Sequence, residues 1–151
     1  MLSLILGYYV FAIVLALLGL IVLVVVYGLG SYGLYRMAKN RGIKNAWLAW
    51  VPVMGIYLVG AMVDEMTFYG HTFTNLALLT PAVTVVGFAC YNVPIVGRLL
   101  WIASWLFTAL VHYNLFRQYR GDLGSCIVYS LVPFAGYFLV RGDSIVYGYT
   151  G

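Results

Sequence analysis

The stretch Val10–Val26, VFAIVLALLGLIVLVVV, decides the fold because it is a long apolar run without a charge. A helix that crosses a bilayer needs about 20 mostly apolar residues. Tyr8 and Tyr9 precede the run and Tyr27 follows it, so aromatic rings stand roughly one hydrocarbon thickness apart. Signal-peptide cores are shorter and follow a basic segment, which is missing before this run. We therefore predict a retained spanning helix.

The composition excludes a water-soluble fold. Of 151 residues, 64% are hydrophobic and only 8% are charged, whereas soluble domains have about 25% charged residues. The same figures exclude a nucleic-acid module and a disordered chain. We predict a single all-α integral membrane domain over residues 1–151. Beyond the stretch that ends at Tyr35, its charge-free segments are Asn45–Val63, Met66–Gly97, Leu99–Phe116 and Leu123–Val140.

Two groups of basic residues set the predicted orientation. They are Arg36, Lys39, Arg41 and Lys44 after the first helix, and Arg117 and Arg120 further along the chain. Cytoplasmic loops carry an excess of Lys and Arg, so we predict a multi-pass protein of the cell membrane with its N-terminus outside and its basic loops in the cytoplasm. The formal net charge of +4 is assigned to this orientation and to contact with membrane lipids, not to nucleic acid.

The pentapeptide Val-Pro-x-x-Gly occurs three times, at Val51–Gly55, Val93–Gly97 and Val132–Gly136. Proline lacks an N–H group and clashes with the preceding helical turn, and glycine adopts backbone angles that other residues avoid. Together the two residues interrupt a helix. The motif therefore predicts helix–turn–helix corners at Pro52, Gly55, Pro94, Gly97, Pro133 and Gly136.

A longer similarity surrounds two of these corners. A shift of 81 residues brings Leu34-Tyr35-Arg36 onto Leu115-Phe116-Arg117, and Val51-Pro52 onto Val132-Pro133, without a gap. We predict an internal repeat with units at about 4–63 and 85–144. Internal repeats are typical of transporters, but gene duplication leaves the same pattern in a passive scaffold.

The segment Ile43–Trp50 before the first corner spans only ~12 Å as a helix, less than half a bilayer. One topology that fits has three spanning helices and two re-entrant or short-helix hairpins, which leaves Arg98 as the single basic residue outside. The alternative is five kinked spanning helices, with Arg117 and Arg120 outside. The positive-inside rule favours the first topology.

Patterns associated with chemistry are weak. Gly28–Gly33 matches G-x-G-x-x-G but lacks the strand and acidic residue of a dinucleotide site, so we expect its glycines to loosen a helix end or admit a neighbour. Asp64, Glu65 and His71 are expected in a hydrated interfacial loop. Cys90 and Cys126 show no metal-binding spacing. We therefore predict no cofactor, no metal site and no catalytic residue.

Three polar residues in apolar segments are candidates for a functional role: Asn92, His112 and Asn114. Polar groups at membrane depth are functional candidates by default, although these lie near segment ends and are expected at an interfacial level. Small residues allow close helix packing. Gly7, Ala12, Ala16 and Gly19 predict a packing seam along the first helix, within the chain or, alternatively, between subunits.

The segment Arg41–Tyr57, RGIKNAWLAWVPVMGIY, resembles a pattern in small bacterial membrane proteins of uncharacterised function, some of which are loosely grouped with signal peptidase I. In that family a Gly-x-x-x-Trp stretch runs into (Ile/Val)-Pro-x-x-(Asn/Gly)-x-Tyr, and the similarity covers roughly Leu34–Gly142. The chain departs from it with Gly55 where many members have Asn. The resemblance implies a polytopic helical protein from a bacterium and carries no catalytic residue.

These observations favour a non-enzymatic, multi-spanning membrane subunit that acts through protein–protein packing, as a scaffold, assembly factor or immunity-type protein. Its expected partners are membrane lipids and other membrane proteins, in a homo-oligomer or a larger complex. The alternative is a small channel or transporter whose paired re-entrant hairpins line a path.

Overall fold

A computed structural model describes residues 2–68 and 71–145, and most of this part is helical. Its helices are α1 (Leu2–Asn40), α2 (Pro52–Val63), α3 (Leu76–Ala89), α4 (Val96–Arg117), α5 (Leu123–Leu131) and α6 (Pro133–Val140). Short 3-10 helices cover Ala46–Trp50 and Cys90–Asn92. The predicted all-α class is confirmed.

A small β-hairpin between α2 and α3 was not expected from the sequence. Strand β1 (Met66–Phe68) pairs antiparallel with β2 (His71–Phe73), with Thr67 opposite Thr72. The strands contain Thr and Phe, residues that favour extended backbone. The segment predicted as a hydrated loop therefore has regular structure, while Asp64, Glu65 and His71 are exposed, as a hydrated position requires.

Two helices of the described part are long and apolar enough to cross a membrane, judged by length and composition alone. They are α1, taken from Leu6 to Asn40, and α4. The helix α3 has 14 residues, or ~21 Å, and the 3-10 helix Cys90–Asn92 extends it. The remaining helices are shorter.

Each of the helices α2 and α6 belongs to a hairpin that starts and ends at the same end of the molecule. In the first hairpin, the 3-10 helix Ala46–Trp50 runs back along α1 until the Tyr27 hydroxyl donates to the Trp50 carbonyl at 2.8 Å. The helix α2 then returns, and Arg41 donates to the carbonyl of Met62 near its end.

The second hairpin repeats this course. The helix α5 leads away from the end of α4, Val132 forms the turn, and α6 returns. At its end the Asn40 side chain donates to the Arg141 carbonyl at 3.3 Å. Pro52 and Pro133 each occupy the first turn of a helix, where the missing N–H costs nothing. We call the shared end, with Asn40, Arg41 and Arg120, the basic end.

The corner at Val93–Gly97 connects α3 to α4 at the opposite end. Ile95 adopts a positive φ of 64°. A Cβ atom on Gly97 would lie 1.8 Å from the carbonyl oxygen of Cys90, so only glycine fits there. Within this helix pair Gly87 lies against Ser104, where a Cβ would be 2.0 Å from the hydroxyl.

The helix α1 divides into a packed half and a free half. In the packed half, Tyr27–Asn40, residues such as Leu34 and Met37 belong to the core. In the free half, Leu6–Val26, every residue is exposed. A Cβ atom on Gly7 or Gly19 would meet nothing within 4 Å. The expectation that the small-residue seam packs within the chain is therefore wrong, because α6 and the 3-10 helix are too short to reach it.

Candidate functional site

A cavity of about 250 Å³ lies between the two hairpins. The residues around it come from α1, α4 and both hairpins, and the first turns of α2 and α6 both reach it. They are Tyr27, Gly30, Ser31, Leu34, Ala49, Pro52, Gly55, Ile56, Thr108, His112, Pro133, Phe134 and Tyr137.

The lining follows the internal similarity of the sequence. Under the shift of 81 residues, four pairs of equivalent positions both face the cavity: Tyr27 and Thr108, Ser31 and His112, Pro52 and Pro133, and Ile56 and Tyr137. Applying the shift to His112 would have pointed to Ser31 from the sequence alone. The cavity therefore lies where the two predicted repeat units face each other, although the boundaries of those units stay a prediction.

His112 and Tyr137 form the central polar pair of this site. The His112 Nδ1 lies 2.7 Å from the Thr108 carbonyl oxygen, which can only accept, so Nδ1 carries the proton. The Nε2 atom of a neutral ring then accepts a hydrogen bond from the Tyr137 hydroxyl. His112 is buried with only 5% of its surface exposed. The short helix α6 covers His112 with Tyr137, so the ring is enclosed by protein, and the interfacial level expected for it stays a prediction.

Aromatic rings hold this pair in place. The fully buried Phe116 lies 5.7 Å from Tyr137 and 5.6 Å from Tyr129, measured between ring centroids. Two glycines let α6 pack closely against α1 and α4. A Cβ atom on Gly33 of α1 would lie 2.5 Å from the Tyr137 backbone, and one on Gly136 of α6 would lie 2.5 Å from the Phe116 ring.

The glycine-rich segment Gly28–Gly33 lies inside α1 and is not a phosphate loop. Gly30 lies directly against Phe134 of α6, and Gly33 against the backbone of Tyr137. The expectation that these glycines admit a neighbour is confirmed for Gly30 and Gly33. Gly28 has nothing within 4 Å of an added Cβ.

Ser31 is the most enclosed polar residue on the α1 side of the cavity, with 3% of its surface exposed. Its hydroxyl makes no hydrogen bond to another residue in the described ranges 2–68 and 71–145. Serine in a helix commonly bonds to the carbonyl one turn back, as Ser130 does to Cys126. The Ser31 hydroxyl is therefore available to a molecule in the cavity.

At the basic end, side-chain contacts join the ends of several helices. Arg41 donates to Gln118, to the Tyr119 hydroxyl at 2.9 Å and to the carbonyl of Met62, which joins the ends of α1, α2 and α4. Arg120 forms an ion pair with Asp143 at 2.9 Å. These contacts bring the two basic groups of the sequence together, and they make Arg41 a structural residue as well as a charged one.

The other predicted positions lie outside the cavity. Lys39 lies 5.8 Å from the Tyr35 ring centroid, and Arg36 and Lys44 are exposed. Asn92 is exposed beside Pro94, at the corner between α3 and α4. The Arg117 guanidinium lies 3.4 Å from the Tyr113 hydroxyl.

Asn114 donates to the Leu110 carbonyl at 2.9 Å and contacts the Met66 sulfur. It therefore joins α4 to the β-hairpin. Within the described residues, no three His, Cys, Asp or Glu side chains lie close enough together to hold a metal ion.

Comparisons of the chain with protein-family models, with curated proteins and with solved structures give no match. The resemblance to small bacterial membrane proteins therefore stays a prediction.

Proposed function

We propose that the protein is embedded in the cell membrane with three spanning helices and two re-entrant hairpins. The spanning helices are α1, α4 and the continuous unit of α3 with its 3-10 extension, Leu76–Asn92, of ~25 Å. The hairpins return to the basic end without crossing, which supports this topology over five kinked spans. The backbone N–H and carbonyl groups of Val51 and Val132 at the turns are hydrogen-bonded within the chain, as a bilayer requires.

This topology predicts which positions share a side of the membrane. Cysteines that replace Lys39 and Arg120 should react with an impermeant thiol reagent from the cytoplasmic side. A cysteine at Arg98 should react only from the opposite side. The tests start from a variant that lacks Cys90 and Cys126. Reaction of positions 39 and 120 from opposite sides would rule the topology out.

Within this membrane, we propose a non-enzymatic subunit that packs against a transmembrane helix of a partner, a second copy being the simplest one. The observation that carries this proposal is a continuous stripe along α1. At about 100° per residue, the buried positions Gly30, Leu34 and Met37 share one side of the helix. The same side of the free half carries Ala12, Ala16, Gly19 and Leu23, which we call the open stripe. Gly7 lies roughly 140° away from Ala12 around the helix and does not belong to the open stripe.

The open stripe suits a helix partner better than lipid alone. Small residues let two helix backbones approach closely, which strengthens dispersion contacts in the absence of a hydrophobic driving force. The solvent-accessible surface of 10096 Å² exceeds the about 7,700 Å² of a compact monomer of 16.8 kDa. Much of the excess belongs to the free half.

A matched pair of substitutions tests the subunit proposal. Ala16→Trp places a large ring on the open stripe, whereas Val14→Trp places it on the opposite side of the same helix turn. We expect the first variant to lose the partner or the oligomer seen for the wild type after mild extraction, and the second to keep it. Wild-type protein that is monomeric and partner-free in native nanodiscs would refute the proposal.

A second candidate function, a small channel or transporter, is favoured by one observation: the cavity lies between two half-membrane hairpins, a common place for substrate sites. The buried core around Leu115 and Phe116 lies between the cavity and the basic end, where the Arg41 contacts join α1, α2 and α4. Transport would require these contacts to open. Solute flux into liposomes that His112→Leu abolishes in a folded protein would place this function first.

A further inference from the structure

We infer that the cavity between the hairpins is a binding site for a small organic carboxylate with an apolar body. The inference uses the cavity of the second candidate function but requires only binding, not transport. It is independent of any partner on the open stripe.

The size and lining of the cavity define the body of the ligand. A buried cavity of roughly 150 Å³ holds a benzene ring, so about 250 Å³ accommodates a ring or short chain with one small head group. Leu34, Ala49 and Ile56 give part of the lining an apolar surface. A fully polar solute would lose its hydration there without replacement.

The polar groups that remain open in the cavity favour an accepting head group. The nitrogens of His112 are both engaged, one with Thr108 and one with Tyr137. The Ser31 hydroxyl is buried, faces the cavity and is unbonded within the described ranges. None of the described residues that line the cavity is acidic, so a cationic head would find no counter-charge.

The starts of α2 and α6 add a positive potential at the same place. Both helices begin at a proline that lines the cavity, and neither has a side-chain cap, since Val51 and Val132 precede them. The first N–H groups of a helix lack intrahelical partners and carry about half a positive charge. Two such ends at one apolar cavity, which Ser31 also lines, match a carboxylate.

The test uses three aromatic probes of nearly the same shape: benzoate, benzamide and benzamidinium, which are negative, neutral and positive. Binding to the full chain in lipid nanodiscs is measured by titration calorimetry at neutral pH, with empty nanodiscs as the blank. We expect benzoate to bind about tenfold more tightly than benzamide, the scale of a hydrogen bond to a charged group, and benzamidinium not to bind.

Two variants locate the site. Ser31→Ala should weaken benzoate binding about tenfold, while Ser130→Ala, which removes a serine outside the cavity, should leave it unchanged. Ile56→Trp should fill the cavity and abolish binding with little change in the thermal unfolding midpoint. Equal affinity for benzoate and benzamide, tighter binding of benzamidinium, no binding of any probe, or equal effects of the two serine variants would each overturn the inference.

Discussion

Both halves of α1 carry apolar residues, but these residues lie in opposite environments. The free half, Leu6–Val26, is exposed at every residue, and the packed half, Tyr27–Asn40, contributes Leu34, Met37 and Ala38 to the core. The difference comes from the partners, because α6 has only eight residues and covers one part of α1. The apolar character of a helix therefore does not reveal whether lipid or protein covers it.

The glycines of the two halves differ in the same way as their surroundings. An added Cβ on Gly33 would lie 2.5 Å from the Tyr137 backbone, whereas one on Gly19 would meet nothing within 4 Å. The same residue type thus permits helix contact in one half and has no intramolecular role in the other.

The largest expected effect on stability comes from substituting these two glycines. Gly33→Leu should destabilise the fold at or above the upper end of about 1–3 kcal/mol, because a backbone cannot move aside as a side chain can. Gly19→Leu should not destabilise the monomer, since its side chain enters open space and leucine favours the helix. The midpoint of thermal unfolding of both variants in detergent measures the difference. Equal loss in both variants would mean that the free half also packs within the chain.

The sequence predicted the kinds of elements better than their contacts. The charge-free stretches indicated the all-α class, and Gly30 and Gly33 admit a neighbour as expected. Four findings were not predicted: the β-hairpin, the Arg41 contacts, the His112–Tyr137 pair and the open hydroxyl of Ser31. The seam on α1 finds no partner within the described part of the chain, and its alternative role between subunits stays a prediction.

The contacts that the sequence did not predict share a physical cause. His112 and Tyr137 are 25 residues apart, and Arg41 and Gln118 are 77 apart. Local periodicity indicates which residues share a helix face, but it does not indicate which second helix meets that face. The 81-residue shift is a signal of long range, and it relates Ser31 to His112.

A smaller effect is expected where the packed half ends. Arg41→Ala removes the hydrogen bonds to Gln118, Tyr119 and Met62, and should cost about 1–2 kcal/mol, since the donor is charged but partly exposed. Arg36→Ala, at an exposed position of the same basic segment, should change the thermal midpoint little. If both variants lose the same stability, the loss comes from the change in net charge and not from the hydrogen bonds by which Arg41 joins α1, α2 and α4.

The smallest expected effect concerns the rim of the packed region, where α5 begins. The Asp122 carboxylate accepts a hydrogen bond from the Ser125 backbone N–H at 2.9 Å and caps the helix. This bond holds the pKa of the Asp122 carboxyl below its ordinary value of 3.8, with a smaller contribution from Arg120. The folded state therefore favours the charged form. The stabilisation is present above pH 3.8 and is lost as the pH falls through the lowered folded pKa.

Asp122→Asn provides the matched control, because asparagine caps a helix about as well as aspartate but does not titrate. At neutral pH we expect wild type and variant to unfold at nearly the same temperature. On acidification below about pH 4 the wild type should lose stability faster than the variant, by a small amount because the carboxylate is exposed and screened. The other acidic residues are common to both proteins, so the difference between the two curves isolates Asp122. Parallel curves would show that the charge of the Asp122 carboxylate adds nothing to the stability that the α5 cap provides.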